Sequence, residues 1–256
     1  MSITEAVIIF VSAFVAGTIN SIAGGGTLLT FPALIWIGLD PKMANATSTV
    51  ALWPGLLGGA WGYRREMQNS RAHLVRLGIP SVIGGAVGGA ILIATPTETF
   101  ARLVPYLILS ATALFILQGS INRRFRLQSA AESPTPRWWT VAMIFQFFSA
   151  IYGGYFGAGN GIVMLSVLGL LGVADIHRAN GIKTFLGACL NSAAVVGFIV
   201  SNLVHWPEAI LMSIAALLGG YTSTHVARRL GRVFVRRTVI AIGLSIGLLM
   251  LWRMNS

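Results

Sequence analysis

Residues 20–32 read NSIAGGGTLLTFP, three consecutive glycines inside an otherwise apolar stretch. Three readings compete for such a cluster: a phosphate-binding loop, a packing contact, or a break in a membrane helix. A phosphate loop of the form GxxxxGK[ST] needs a lysine after its last glycine. Here Gly26 is followed by Thr27 and Leu28, so the nucleotide reading fails. The surrounding chain decides between the other two.

The 256 residues are 55% hydrophobic and only 10% charged, with a mean hydropathy of +0.77. Soluble domains carry about 25% charge. Apolar runs approaching the about 20 residues that cross a hydrocarbon core recur along the whole length and leave no room for a separate soluble domain. The formal charge of +11 comes from 16 Arg and 2 Lys against 7 acids, a balance that in a soluble protein suggests nucleic acid. Most of the arginines instead gather in three short loops: Arg64, Arg65, Arg71 and Arg76; Arg123, Arg124, Arg126 and Arg137; Arg228, Arg229, Arg232, Arg236 and Arg237. That is the pattern of the positive-inside rule, so the expected partner is a lipid bilayer and not nucleic acid. A single cysteine, Cys189, excludes an intrachain disulfide and any CxxC site, and no metal or cofactor is implied. The first apolar run carries Glu5, has no basic residue before it and lacks a small-residue cleavage pattern, so it is read as a retained helix.

The pattern predicts helices over 3–23, 27–38, 44–63, 77–95, 102–120, 138–156, 161–174, 180–200, 208–227 and 235–252. Two of these, 27–38 and 161–174, are too short to span and each follows a glycine cluster, so they read as half-helices of broken elements. Placing the arginine loops in the cytoplasm puts the turns 96–101 and 201–207, and both termini, outside. The helices 44–63 and 180–200 then run in opposite directions. A slide of 135 positions also aligns Ala23, Gly24, Gly26, Asp40, Ala44, Asn45 and Thr49 with Ala158, Gly159, Gly161, Asp175, Ala179, Asn180 and Thr184. The expected fold is therefore an all-α polytopic membrane protein of two inverted-topology repeats, 1–121 and 138–256, joined by the polar linker 122–137. About eight helices span and two are short.

Inverted-repeat transporters bind substrate near the midplane, at interrupted helices whose free backbone groups face the ligand. A helix starting after each glycine cluster leaves its first N–H groups unpaired, and its dipole favours an anion there.

AGTINSIAGGGTLLTFPALIWIGLDPKMANATST in the first half and GGYFGAGNGIVMLSVLGLLGVADIHRANGIKT in the second resemble the sulfite exporter TauE/SafE family of membrane anion transporters. The resemblance rests on Asn20, Gly24 to Gly26, Pro32 and Ala46 to Ser48, then on Gly157, Gly159, Gly161, Ala179 and Gly181, and it covers essentially the full chain. It implies transport of sulfite or organosulfur anions such as sulfoacetate or thiosulfate, in the inner membrane of a bacterium.

Candidate substrate contacts are Asn20, Gly24, Gly25, Gly26, Thr27, Asn45, Ser48, Thr49, Gly157, Gly159, Asn160, Gly161, Asn180, Lys183 and Thr184. Lys183 reads either as an anion contact, as a side chain reaching for the interface, or as a partner of Asp175. Asn45 and Asn180 read as matched helix starts that serve equally as N-caps. Thr47, Ser48, Thr49 and Thr184 either donate to an oxyanion or bond back to their own helices. The glycine pairs around Gly55 to Gly62 and Gly84 to Gly89 read as packing faces. A monoanion leaving a negative interior gains about 2.3 kcal/mol per 100 mV, which favours export or facilitated passage. Proton-coupled uptake through Asp40 or Asp175, a channel, and an intramembrane enzyme using Cys189 or a serine are the alternatives. No catalytic residue is assigned, and the monomer or homodimer state stays open.

Overall fold

The computed structural model describes residues 1–22, 24–129, 136–173, 175–230 and 232–255, with side chains described outside 22, 118–129, 223–236 and 253–255. The described chain is all helical, in ten elements: α1 (Ile3–Ile22), α2 (Thr27–Trp36), α3 (Pro41–Gly62), α4 (Arg71–Ala94), α5 (Thr97–Ser129), α6 (Pro136–Tyr155), α7 (Asn160–Leu170), α8 (Ile176–Val200), α9 (Trp206–Leu230) and α10 (Arg232–Asn255). Every predicted helix is present. Among the described residues four of them, over Ile3–Ser21, Arg71–Ala94, Thr97–Leu117 and Ile176–Val200, are long and apolar enough by themselves to cross a membrane. At 10 and 11 residues α2 and α7 are shorter, and a rise of 1.5 Å per residue carries them only about halfway through a bilayer core.

Several helices start earlier than predicted: α4 begins at Arg71 and α5 at Thr97, so Arg71 and Arg76 lie in helix and not in a loop, and two further starts differ for a physical reason. Asn45 and Asn180 do not start their helices. Asp40 caps α3, its Oδ1 accepting from the Lys42 N–H at 2.9 Å and the Met43 N–H at 3.3 Å, with Pro41 at the first helical position. Asp175 caps α8, its Oδ1 accepting from the Arg178 N–H at 2.8 Å. Asn45 and Asn180 therefore lie more than a turn inside, buried at 1% and 4% exposure. The polar linker is also shorter than predicted, because α5 continues as backbone helix to Ser129 and α6 begins at Pro136.

The protein is apolar outside and mixed within. Val200, Trp61, Phe148 and Trp252 project from the surface, while Thr18, Ser21, Thr30, Asn45, Thr47, Ser48, Gln146, Asn160, Asn180, Lys183 and Thr184 are buried. This reversal of a soluble fold suits a hydrocarbon solvent, in which polar groups must find partners internally. The most extensive packing sets α9 against α1 and α3, α4 against α6 and α8, α5 against α10 and α7, and α3 against α8.

Small residues let these backbones touch. A Cβ on Gly85 of α4 would lie 2.0 Å from the Leu190 carbonyl oxygen of α8, and one on Gly220 of α9 would lie 2.3 Å from that of Gly55 in α3. Gly84 and Gly88 press in the same way on α6. The expected packing faces are therefore real. Trp53 donates its Nε1–H to the Ala188 carbonyl across the α3–α8 contact, at 3.0 Å.

Candidate functional site

Each glycine cluster turns the chain through backbone conformations closed to most L-residues. Gly24 and Gly25 have φ of +77° and +105°, and Gly157 and Gly159 have +78° and +75°. The two turns touch: a Cβ on Gly24 would sit 2.7 Å from Gly161 Cα. The N-terminal ends of α2 and α7 thus meet inside the helical bundle.

A cavity of about 560 Å³, including its open mouth, lies at that meeting point. Asn20, Gly24, Gly25, Thr27, Thr49, Gly157, Asn160, Gly161, Lys183 and Thr184 line it, ten of the predicted contacts drawn from both halves of the chain. Gly26, Asn45, Ser48, Gly159 and Asn180 do not line it. A Cβ on Gly159 would meet Ala111 of α5, and the Ser48 hydroxyl is bonded to that of Thr30 at 2.6 Å. Asn45 donates its Nδ2–H to the Tyr155 carbonyl at 3.0 Å. The side-chain oxygens of Asn45 and Asn180 find no donor among the described residues.

The helix starts are better satisfied than the sequence implied. Asn20 Oδ1 accepts from the Gly26 N–H at 2.7 Å, and tight turns pair the Leu28 N–H with the Gly25 carbonyl and the Ile162 N–H with that of Gly159, each at 3.0 Å. The amides of Gly25, Thr27 and Gly161, all in the cavity wall, find no acceptor among the described residues. Ala23, whose carbonyl lies four residues before Thr27, is outside the described residues.

The side chains divide by role. Asn20 spends its oxygen on Gly26, and Asn160 spends its own on the Ser149 hydroxyl. Both carboxamides are thereby oriented, with an NH₂ group remaining in each. Thr49 and Thr184 donate back to the Asn45 and Asn180 carbonyls at 2.9 and 2.7 Å, which leaves their hydroxyl oxygens as acceptors. Lys183 is 2% exposed. Its Nζ donates to the carbonyls of Asn20 at 2.9 Å and Ser21 at 3.2 Å, so it neither reaches for the interface nor pairs with Asp175 by a direct bond.

Asn191 was missed, as were the apolar wall residues Leu52, Leu56, Phe156, Met164 and Leu190. Helical spacing held the signal, because Lys183, Gly187 and Asn191 follow at intervals of four on one face of α8.

Asp40 and Asp175 are exposed and lie outside the cavity wall. The Arg178 N–H that Asp175 caps holds its carboxyl below the ordinary carboxylate range.

A helical bundle with an apolar exterior, two half-length helices and a cavity of mixed polar and apolar lining where they meet defines a multi-pass membrane protein with discontinuous helices. Residues 9–250 match the family described as Sulfite exporter TauE/SafE, and the chain belongs to that family. It is similar to a "Probable membrane transporter protein" of Haemophilus influenzae, 25% identical over 91% of this chain and 89% of that one. It is also similar to "Probable membrane transporter protein ORF9" of a Sinorhizobium species, 24% identical over 95% and 91% of the two chains. A third relative is "Probable membrane transporter protein YfcA" of Escherichia coli, 25% identical over 92% and 85%. The protein is a membrane transporter.

Proposed function

We propose that the protein carries a small sulfur-containing anion, such as sulfite, thiosulfate or an organosulfonate, outward or by facilitated passage across the inner membrane. The anion binds where α2 and α7 meet. The observation that carries this reading is that Gly25, Thr27 and Gly161 from the two helix starts line one cavity together with Asn20 and Asn160, whose side-chain oxygens are taken by Gly26 and Ser149. Two helix N-termini add their positive dipole ends. The apolar residues Leu52, Leu56 and Met164 line the same cavity and suit contact with the carbon end of an organic anion. Sulfur as the central atom follows from the family description alone.

The architecture behind this reading is a pair of inverted repeats with about eight spanning helices and two half-helices. Its support is an exchange of partners. If α1 to α5 correspond to α6 to α10, then the α1–α9 contact corresponds to α6–α4, and the α3–α9 contact to α8–α4; all four are present. The closest backbone contacts obey the same rule, since Gly85 on Leu190 becomes Gly220 on Gly55 under the same displacement of 135. Outward movement of a monoanion is favoured by about 2.3 kcal/mol per 100 mV, and the capping roles of Asp40 and Asp175 speak against their carrying protons.

Purified protein in liposomes tests this with a panel of sulfite, thiosulfate and sulfoacetate. The expected result is saturable flux of at least one anion. Flux equal to that of empty liposomes for every member would overturn it.

A further inference from the structure

The chain has only two lysines, and both make the same contact. Lys42 Nζ donates to the Ile93 and Thr95 carbonyls, at 2.7 and 2.8 Å, where α4 ends. Lys183 Nζ donates to the Asn20 and Ser21 carbonyls where α1 ends. A helix end leaves carbonyls without intrahelical partners and carries the negative pole of the dipole. Neither α1 nor α4 has a basic residue in its own last turn, so another helix supplies the cation. A compact ammonium on a flexible stem turns its donors to both carbonyls, whereas a larger guanidinium with a fixed fork would have to displace neighbours at a site where Lys183 is 2% exposed.

Asn20 passes this contact on. Its carbonyl accepts from Lys183 while its side-chain oxygen accepts from the Gly26 N–H, the N-cap of α2. In the second half the residue displaced by 135 from Asn20 is Tyr155, and its carbonyl accepts from Asn45 Nδ2 of α3. The same carbonyl is thus held in both halves, by an ammonium from α8 in one and by a neutral amide from α3 in the other.

We infer that Lys183 is a positioning residue: it clamps the last carbonyls of α1 and, through Asn20, fixes the start of α2, in place of serving as the charge that binds the anion. This deepens the proposed function, and its transport arm rests on that reading. An exchange arm does not.

Three variants separate the roles: Lys183→Gln keeps a donor without charge, Lys183→Arg keeps charge in the wrong shape, and Lys183→Met keeps neither. A clamp predicts that the Gln variant retains most of the flux, as the neutral Asn45 suffices in the other half, while Arg and Met fall ~10-fold or more, the scale of losing a hydrogen bond to a charged group. A counter-ion predicts the reverse, with Arg near wild type and Gln and Met lost together.

Hydrogen exchange of the last turn of α1 and of Gly24 to Gly26, in detergent without any anion, is expected to quicken ~10-fold in Lys183→Met and to stay near wild type in Lys183→Gln. Unchanged exchange in Lys183→Met, or Arg transporting as wild type while Gln does not, overturns the inference. If Lys183→Met fails to fold, the Gln and Arg comparison decides. If the wild type transports nothing on the panel, the proposed substrate class fails while the exchange result still decides the clamp.

Discussion

Gly24→Ala tests whether the meeting of the two turns matters for transport. The substitution has two costs that the structure separates. The first is conformational: at φ +77° an alanine is strained by about 1–2 kcal/mol. The second is contact: the new methyl would lie 2.7 Å from Gly161 Cα, against about 3.5–4.0 Å for carbon atoms at rest. The methyl has no rotamer to escape by and Gly161 Cα is backbone, so the turns must part by roughly 1 Å, a misplacement that elsewhere costs up to ~100-fold in activity.

Gly38 supplies the control, because it has φ +93° at the end of α2 and nothing within 4 Å of an added Cβ. Gly38→Ala should therefore lose about 1–2 kcal/mol of stability and keep its flux. Gly24→Ala should lose at least as much stability and, in addition, ~10 to 100-fold of flux. Thermal unfolding in detergent and anion flux in liposomes read the two quantities. Equal flux in the two variants would refute the reasoning. Gly25 is the poorer probe, since a Cβ there meets the Phe115 ring at 2.3 Å and disturbs α5 packing as well.

Asn160→Asp keeps the oxygen that accepts from Ser149 but replaces the NH₂ donor with a second anionic oxygen. The half-saturating anion concentration should rise ~10-fold or more with the fold intact, the scale of losing a hydrogen bond to a charged group and gaining a like charge; saturation flux curves measure it. Gly85→Ala should abolish folded protein on size-exclusion chromatography, because its methyl would lie 2.0 Å from the Leu190 carbonyl oxygen in the α4–α8 contact. Asp175→Ala should lower stability at neutral pH by about 1 kcal/mol, the worth of a helix cap. The folded carboxyl titrates below its unfolded value, so the cap is fully present above the unfolded pKa and is lost as pH falls through the folded one. Melting curves of wild type and variant should therefore converge in acid, and a gap independent of pH would count against the cap.

Much of the fold was legible because its signals are local. Apolar runs gave ten helices, and glycine runs marked both breaks. The Asp40-Pro41 pair is also a readable start signal, although the apolar pattern itself begins only at Ala44. The candidate site was legible where the two halves repeat: Gly24, Gly25, Asn160 and Gly161 were found because the glycine turns are displaced by one constant interval. Asn45 and Asn180 were found by the same repeat and proved to lie outside the cavity wall. A repeat records a shared structural position, whether or not that position faces the ligand.

The sequence by itself determined a helical membrane protein with two broken elements, since hydropathy and backbone freedom are properties of short stretches. Only the tertiary structure decided what the broken ends face. That Gly24 rests on Gly161, that Asn20 and Asn160 line one cavity with their oxygens taken by Gly26 and Ser149, and that Lys183 donates to the end of α1 all depend on contacts between residues more than a hundred positions apart, or on hydrogen bonds that orient a side chain. Residue identity fixes which donors a side chain carries; the neighbour that takes each proton is fixed by packing.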